Sequence, residues 1–456
     1  MRAARRSWAA AALAAAALAG CAARRPEEAL AVTREDGRVV PLDSTTSSFT
    51  VNGLRVIHRA NFATDVVAAQ LYLLGGARQL TPATQGIEAL LLRAAEYGTA
   101  GYPGEAWRAA WSVTGSELSV VTTPDWTRVA MRGIRADFDS SWAVFADRLV
   151  RPTLSDRAVR VARERLVAQV RQRRTNPDGL AFTLIDSVAY RGHPYALRHD
   201  GTEASLAAVD SAALARYHAE QMVTSRMLLV VVGGIDRAQV ERAVTATLGR
   251  LPAGAYRWSL PPRVAASADA AAIVSYVARP AATNYVVGLF HGPPPDAPDA
   301  PAFRLATALF SARVSQAVRE QRGLSYAAYA PYLERGVTAS GLYASTIAPA
   351  AVLQVMRAQL DTLRRESYVG AQMRFFTQQF VTGYIGSNLT SADQADALAR
   401  AELYQGDYRR ATREMDALRG VTGSELSAAA RRYLVKPRFL YLGDTTRVTR
   451  AAFANF

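Results

Sequence analysis

A chain of 456 residues is long enough for two to four domains at about 100–200 residues each, and half of it is hydrophobic against 20% charged, which excludes a disordered or low-complexity protein. The formal charge is +15, and of the 54 basic residues all but Lys436 are arginine, scattered among acids without long basic runs, so no nucleic-acid partner is expected, although the surplus would suit anionic peptides. One cysteine excludes a disulfide framework, a thiolate zinc site and an iron–sulfur cluster within one chain.

Residues 1–20 carry the marks of export. Arg2, Arg5 and Arg6 form a basic start, and Trp8 to Leu18 form an Ala/Leu-rich core too short to span a bilayer. Leu18-Ala19-Gly20-Cys21 follows and resembles a bacterial lipobox, in which the cysteine thiol receives diacylglycerol; the alternative is an ordinary signal peptide with a chance cysteine. Cys21 is therefore the expected lipidation site. Ala22, where an Asp would argue otherwise, favours the outer membrane, and residues 21–45 are polar enough to be a tether.

The chain then reads as elements. Asn52-Gly53 between two short apolar runs predicts a hairpin. Val66 to Leu74 is a strand, Thr84 to Tyr97 a helix stopped by Gly98, and Leu118 to Thr123 a strand whose Pro124-Asp125 leads into a helix. Val209 to Gln221 is a helix and Met227 to Val232 a strand. A second passage repeats the order: strand Asn284 to Phe290, helix Ala302 to Gln321, strand Gly341 to Ile347, a helix from Pro349, helix Val421 to Leu434 and strand Phe439 to Leu442. The fold class expected is α+β with two homologous halves, each a mainly antiparallel sheet packed with helices. The expected division is a signal peptide 1–20, a tether 21–45, an N-terminal domain 46–255, a linker 256–270 and a C-terminal domain 271–456.

Several short motifs in this frame carry a resemblance. An Asn-Gly-Leu hairpin, a strand ending Gly75-Gly76-Ala77-Arg78, a helix between Gly86-Ile87 and Gly98-Thr99, then Asn176-Pro177-Asp178, Gly192-His193-Pro194-Tyr195, Gly201-Thr202-Glu203 and Arg322-Gly323-Leu324-Ser325-Tyr326 follow one another. Their order and spacing resemble the pitrilysin/insulinase family, which includes mitochondrial processing peptidase. The resemblance implies a zinc peptidase site, H-x-x-E-H, on the first of those helices. Two His at i and i+4 reach one Zn²⁺ from one face, a Glu between them activates water, and a distal Glu completes the ligands.

Set in register on Gly86 and Gly98-Thr99, this helix has Ala89 and Arg93 at the His positions and Leu92 at the Glu; Gln169, 76 residues after Arg93, stands at the distal ligand. Ala and Leu have no donor atom, Arg repels a cation, and a neutral amide is a poor ligand. Glu88 and Glu96 stand at other angles of the helix. No two of His58, His193, His199, His218 and His291 are three or four residues apart, so no replacement metal site and no cofactor is expected in this chain.

Two features implied by the resemblance survive. The family's Arg and Tyr, seven residues apart, contact the substrate backbone and scissile carbonyl; here they are Arg319 and Tyr326, the alternative being that both serve only the fold. The family's edge strand accepts an extended peptide as an added strand; here it is Leu118, Ser119, Val120 and Thr122, with Ser119 in place of an Asn, or else a plain edge strand.

The resemblance thus implies a non-catalytic, substrate-binding subunit of a heterodimeric periplasmic zinc endopeptidase. The zinc would sit in a homologous H-x-x-E-H-bearing partner, the substrate would be an extended peptide, and the protein would be lipid-anchored on the periplasmic side of a bacterial envelope. The alternative is a non-enzymatic peptide-binding or scaffold lipoprotein of the same fold, like the core subunits of the respiratory complex that share it.

Overall fold

The computed structural model describes residues 31–33, 39–264, 274–278, 283–454 and 456. The signal segment 1–20, Cys21, most of the 21–45 tether and part of the 256–270 linker lie outside the described residues.

The first half is built on a six-stranded sheet. Its strands are β1 (Thr46–Val51), β2 (Leu54–Ala60), β3 (Val66–Leu74), β4 (Glu117–Thr122), β5 (Trp126–Ile134) and β6 (Met227–Gly233), in the order β1-β2-β6-β3-β5-β4. Only β2 and β6 run parallel; the other neighbours are antiparallel. The Asn52-Gly53 turn joins β1 to β2 with both residues at positive φ, as a two-residue hairpin requires.

The second half repeats this plan with β7 (Val274–Ala278), β8 (Asn284–His291), β9 (Ala327–Tyr329), β10 (Ala339–Thr346) and β11 (Arg438–Gly443) in the order β9-β10-β8-β11-β7. The β11–β7 pair is parallel, the counterpart of β6 beside β2. The α+β architecture with two like halves is therefore present.

The halves are not independent packages. Strands β3 and β6 are buried almost throughout, so both faces of the first sheet are covered. One face packs Leu71, Val129 and Leu229 against Phe138, Trp142 and Phe145 of α2 (Phe138–Val150), which follows α1 (Ile87–Ala94) in the chain. The other face packs Tyr72, Trp126 and Val230 against Leu398, Ala399 and Tyr404 of a helix from the second half, Ser391–Gln405.

The exchange is reciprocal. After α3 (Asp156–Thr175), α4 (Pro177–Ala189) leaves the first half and lays Ala181, Ile185 and Val188 on Val287, Leu289, Leu440 and Leu442 of the second sheet. The opposite face of that sheet carries the second half's own helices, α6 (Ala300–Ser315), α7 (Pro349–Arg365) and α9 (Gly423–Tyr433), with α5 (Ser211–Gln221) belonging to the first half and α8 being Ser391–Gln405.

Two sequence expectations need correction. Pro124-Asp125 leads into strand β5, not a helix. The turn is fastened by the Thr123 hydroxyl, which accepts from Asp125 N and Trp126 N, and Trp126 to Ile134 then pairs with β3 along its length. The first helix begins at Ile87 rather than Thr84, because Gly86 is left-handed and passes so close to Gly201 that an added Cβ would stand 2.6 Å from its Cα. That contact explains why both motifs place glycine there.

Candidate functional site

Helix α1 is held from two sides. Ile87, Ala89, Leu90 and Leu91 pack with Leu166 and Val170 of α3 and with Leu214 and Tyr217 of α5, while Leu92 turns toward the sheet core beside Val129, Met131 and Phe145. Ala89 and Leu92 are buried and Arg93 is half-buried. Arg93 Nη2 donates to Gln169 Oε1 at 3.0 Å, so the two positions 76 residues apart do meet. These four side chains do not fit a zinc ion: two are hydrocarbon, one is a fixed cation, and the amide oxygen of the fourth is occupied by that cation. Among the described residues no group of three or more His, Cys, Asp or Glu is placed to hold a metal ion.

The two carboxylates of this region are committed elsewhere. Glu88 is buried, 2.7 Å from Arg226 Nη2, and accepts from the Tyr217 hydroxyl at 3.0 Å. Burial pushes the Tyr217 phenol well up, and Glu88 adds to it. Arg226 is pulled down by burial, but Glu88 and Tyr217 outweigh this and leave it raised. Glu96 pairs with the fully buried Arg148 at 2.8 Å, and Arg148 also donates to Leu92 O at 2.5 Å. Burial lowers Arg148, Glu96 opposes this, and neighbouring Arg93 lowers it further.

The histidines are mostly structural. His58, His193 and His218 each turn Nε2 to a backbone carbonyl, of Ile235, Pro262 and Leu149 respectively, at 2.8–3.0 Å. Burial, then the cations of Arg335, Arg173 and Arg198, lower His199 to about 4; burial, then Arg438, lowers His291 to about 4.

Strand β4 ends the first sheet and, among the described residues, pairs only with β5, so its outer edge is free to hydrogen-bond. Leu118 and Val120 lean on the core, Ser119 and Val121 are exposed, and Thr122 is half-buried. Beside the end of this strand lies a cavity of about 1020 Å³ between the halves. Val121, Thr122, Trp126 and Arg128 form one wall, and Thr307, Ser311 and Ser315 of α6 form the opposite one. Tyr329 and Tyr332 close it on the second-half side, with Asp396, Arg400 and Tyr404 of α8. A smaller cavity of about 260 Å³ runs on past Glu117, Leu118 and Ser119.

The charges on these walls are paired: Arg400 with Glu334 at 2.9 Å, Arg128 with Asp396 at 3.2 Å, and Arg304 with Glu414 while stacking on Tyr332 and Tyr384. The Thr307 hydroxyl and Arg128 Nε are buried without a hydrogen-bond partner. At the cavity's inner end Asp125 is 1% exposed and ties the halves together. It accepts from Tyr195 of the first half and from Tyr404 (2.8 Å) and Gly336 N (2.9 Å) of the second. Sequence reading placed Asp125 only in a turn and not as a tie between the halves, because its partners lie 70 to 279 residues away and no local pattern marks them.

Arg319 and Tyr326 are both exposed, Tyr326 at 82%, and they meet: the Arg319 guanidinium carbon lies 4.6 Å from the Tyr326 ring centre. Arg319 sits in a wider turn, Gln316–Glu320, that extends α6, four residues past the cavity-lining Ser315. Gly323 at φ +60° then reverses the chain into β9. The pair does not itself line the 1020 Å³ cavity, so the structure brings Val121 and Thr122 to that cavity but leaves Arg319 and Tyr326 outside its walls.

Comparison with known proteins places this geometry. Residues 55–203 match the family described as Insulinase (Peptidase family M16), and residues 208–369 match the Peptidase M16 inactive domain. A protein named as an uncharacterized zinc protease of Mycobacterium leprae is 24% identical over 333 residues, covering 71% of this chain and 74% of its own. Cytochrome b-c1 complex subunit 1 of Bos taurus is 21% identical over 189 residues, covering 41% of this chain and 39% of its own. A crystal structure of a peptidase M16 inactive domain from Pseudomonas fluorescens superposes with a TM-score of 0.79 at 18% identity, over 88% of this chain and 98% of that one, which shows a shared fold.

Proposed function

The chain belongs to the pitrilysin/insulinase family as a non-catalytic, peptidase-like member without the H-x-x-E-H motif, and we propose that it works as the substrate-binding subunit of a heterodimeric zinc endopeptidase, its partner a homologue that carries the motif and the zinc. The observation that carries this reading is a free sheet edge, β4, running into a large cavity with unpartnered polar atoms, in a chain whose metal position cannot hold zinc. An extended peptide would add to β4 through main-chain hydrogen bonds and place alternate side chains over the cavity. Arg319 and Tyr326 present a planar guanidinium and a phenol, donors suited to a peptide carbonyl or a developing oxyanion in the chamber shared with the partner.

The location we propose is the periplasmic side of the envelope, anchored through a lipid on Cys21. Among the described residues no helix is long and apolar enough to cross a membrane. Cys21→Ser tests the anchor: fractionation should shift to the soluble phase, and unchanged fractionation without lipid labelling contradicts it. Co-purification from native membranes tests the partnership: an H-x-x-E-H homologue with one zinc should come with this chain.

A second reading is favoured by the similarity to a subunit of the cytochrome b-c1 complex: a non-enzymatic peptide-binding or scaffold protein. In that case the chain would be recovered without a zinc-bearing homologue, and changes at Arg319 and Tyr326 would leave proteolysis untouched.

A further inference from the structure

The surface around the lost metal position is rich in hydrogen-bond donors. Arg93 and Tyr97 stand four residues apart on α1 and its final turn; Arg165 and Gln169 stand four apart on the facing α3. Arg93 is bound to Gln169, and the guanidinium carbon of Arg165 lies 5.4 Å from the Tyr97 ring centre. Arg108 approaches the same ring at 5.5 Å, but it is taken by Glu105 at 3.1 Å. Among the described residues neither Arg93 nor Arg165 has an ion-pair partner, and Glu96, on α1's final turn, is held by Arg148.

The remaining hydrogen-bonding capacity all has one sense. Gln169 uses its oxygen on Arg93, which leaves its amide NH₂ as a donor. The Tyr97 hydroxyl is buried, so its ring serves as a face for Arg165 and not as a surface donor. The Arg93 and Arg165 guanidinium groups and the Gln169 NH₂ therefore share one face of the α1–α3 pair, and a carboxylate is the group that accepts from all three without a proton of its own.

We propose that this patch, at the place where the family binds its metal, is a carboxylate-binding subsite for a peptide. The identity of the ligand as a peptide rests on the function proposed above; the anion site itself rests only on the donors. The carboxylate could come from an acidic side chain or from a peptide C-terminus, and both offer the same two oxygens.

The test uses the processed full chain and a fluorescein-labelled extended peptide in four forms, with Glu or Gln at one internal position and a free or amidated C-terminus. The expected result in anisotropy is a preference for one acid over its amide of roughly tenfold at low salt, shrinking as salt rises and lost in Arg93→Gln and Arg165→Gln. A preference set by the internal residue identifies a side-chain carboxylate; one set by the end group identifies the C-terminus. Equal affinity of acid and amide in both comparisons overturns the proposal while leaving peptide binding intact. If no peptide binds, glutarate titrated by calorimetry decides: saturable binding weakened by Arg93→Gln upholds the anion site and removes the peptide reading, and no glutarate binding overturns the site.

Discussion

Arg93 and Gln169 are hydrogen-bonded at 3.0 Å across 76 residues, at the two positions where catalytic relatives would place a His and a Glu on the same metal. A cation and an amide make this contact directly, so α1 and α3 are clasped through a hydrogen bond. The chelator-washed protein should accordingly carry no stoichiometric zinc. Elemental analysis checks this, and one zinc per chain that disappears on changing Arg93 or Gln169 would refute it.

Glu88 and Arg226 form a buried pair beneath the same helix. Glu88→Ala leaves the Arg226 cation uncompensated and should cost about 3–5 kcal/mol in urea unfolding. Adding Arg226→Met should recover part of that loss. If the single change costs under about 1 kcal/mol, the pair is not what holds α1 in place.

Asp125 binds the halves through Tyr195, Tyr404 and Gly336. Asp125→Ala strands three buried donors, at about 1–3 kcal/mol for each unsatisfied group, so a large drop in melting temperature is expected. Calorimetry should also show whether the two halves still unfold in one transition. An unchanged, single transition would mean that the exchanged helices α4 and α8 suffice to join them.

The period of the apolar residues and the glycine punctuation located β3, β8, β10 and α7 closely, because each is a local pattern. The substituted metal positions were legible for the same reason: helix spacing sets which residues share a face. The helix exchange was not legible. α4 and α8 look like any amphipathic helix, and nothing local says which sheet they cover. The strand β5 was misread for a related reason: Pro124-Asp125 is a common helix start, and only pairing with β3 makes Trp126 to Ile134 a strand.

The histidines set an acid limit on stability. Burial lowers His58, His193 and His218, and His199 and His291 fall to about 4, against 6.5 in the unfolded chain. Below 6.5 the unfolded state takes up protons that the folded state refuses, so stability is lost as pH falls from 6.5 toward 4, in the window between the two values. Glu414, raised by burial, acts in the opposite direction. Urea midpoints measured across that window should decline, and His291→Gln should flatten the decline. A midpoint that rises on acidification contradicts the assignment of neutral histidines.

The most direct test of the account is turnover by this chain reconstituted with an H-x-x-E-H homologue, wild type against Tyr326→Phe and Arg319→Ala, with peptide affinity measured separately. Tyr326 is 82% exposed, so removing its hydroxyl should barely move the melting temperature. Losing one oxyanion donor costs on the order of 10²–10³ in kcat in well-studied hydrolases. The account predicts that the chain alone does not cleave, that the pair does, and that each variant slows kcat with the complex intact. Variants that cleave at the wild-type rate within an intact complex would contradict it and leave the scaffold reading in its place.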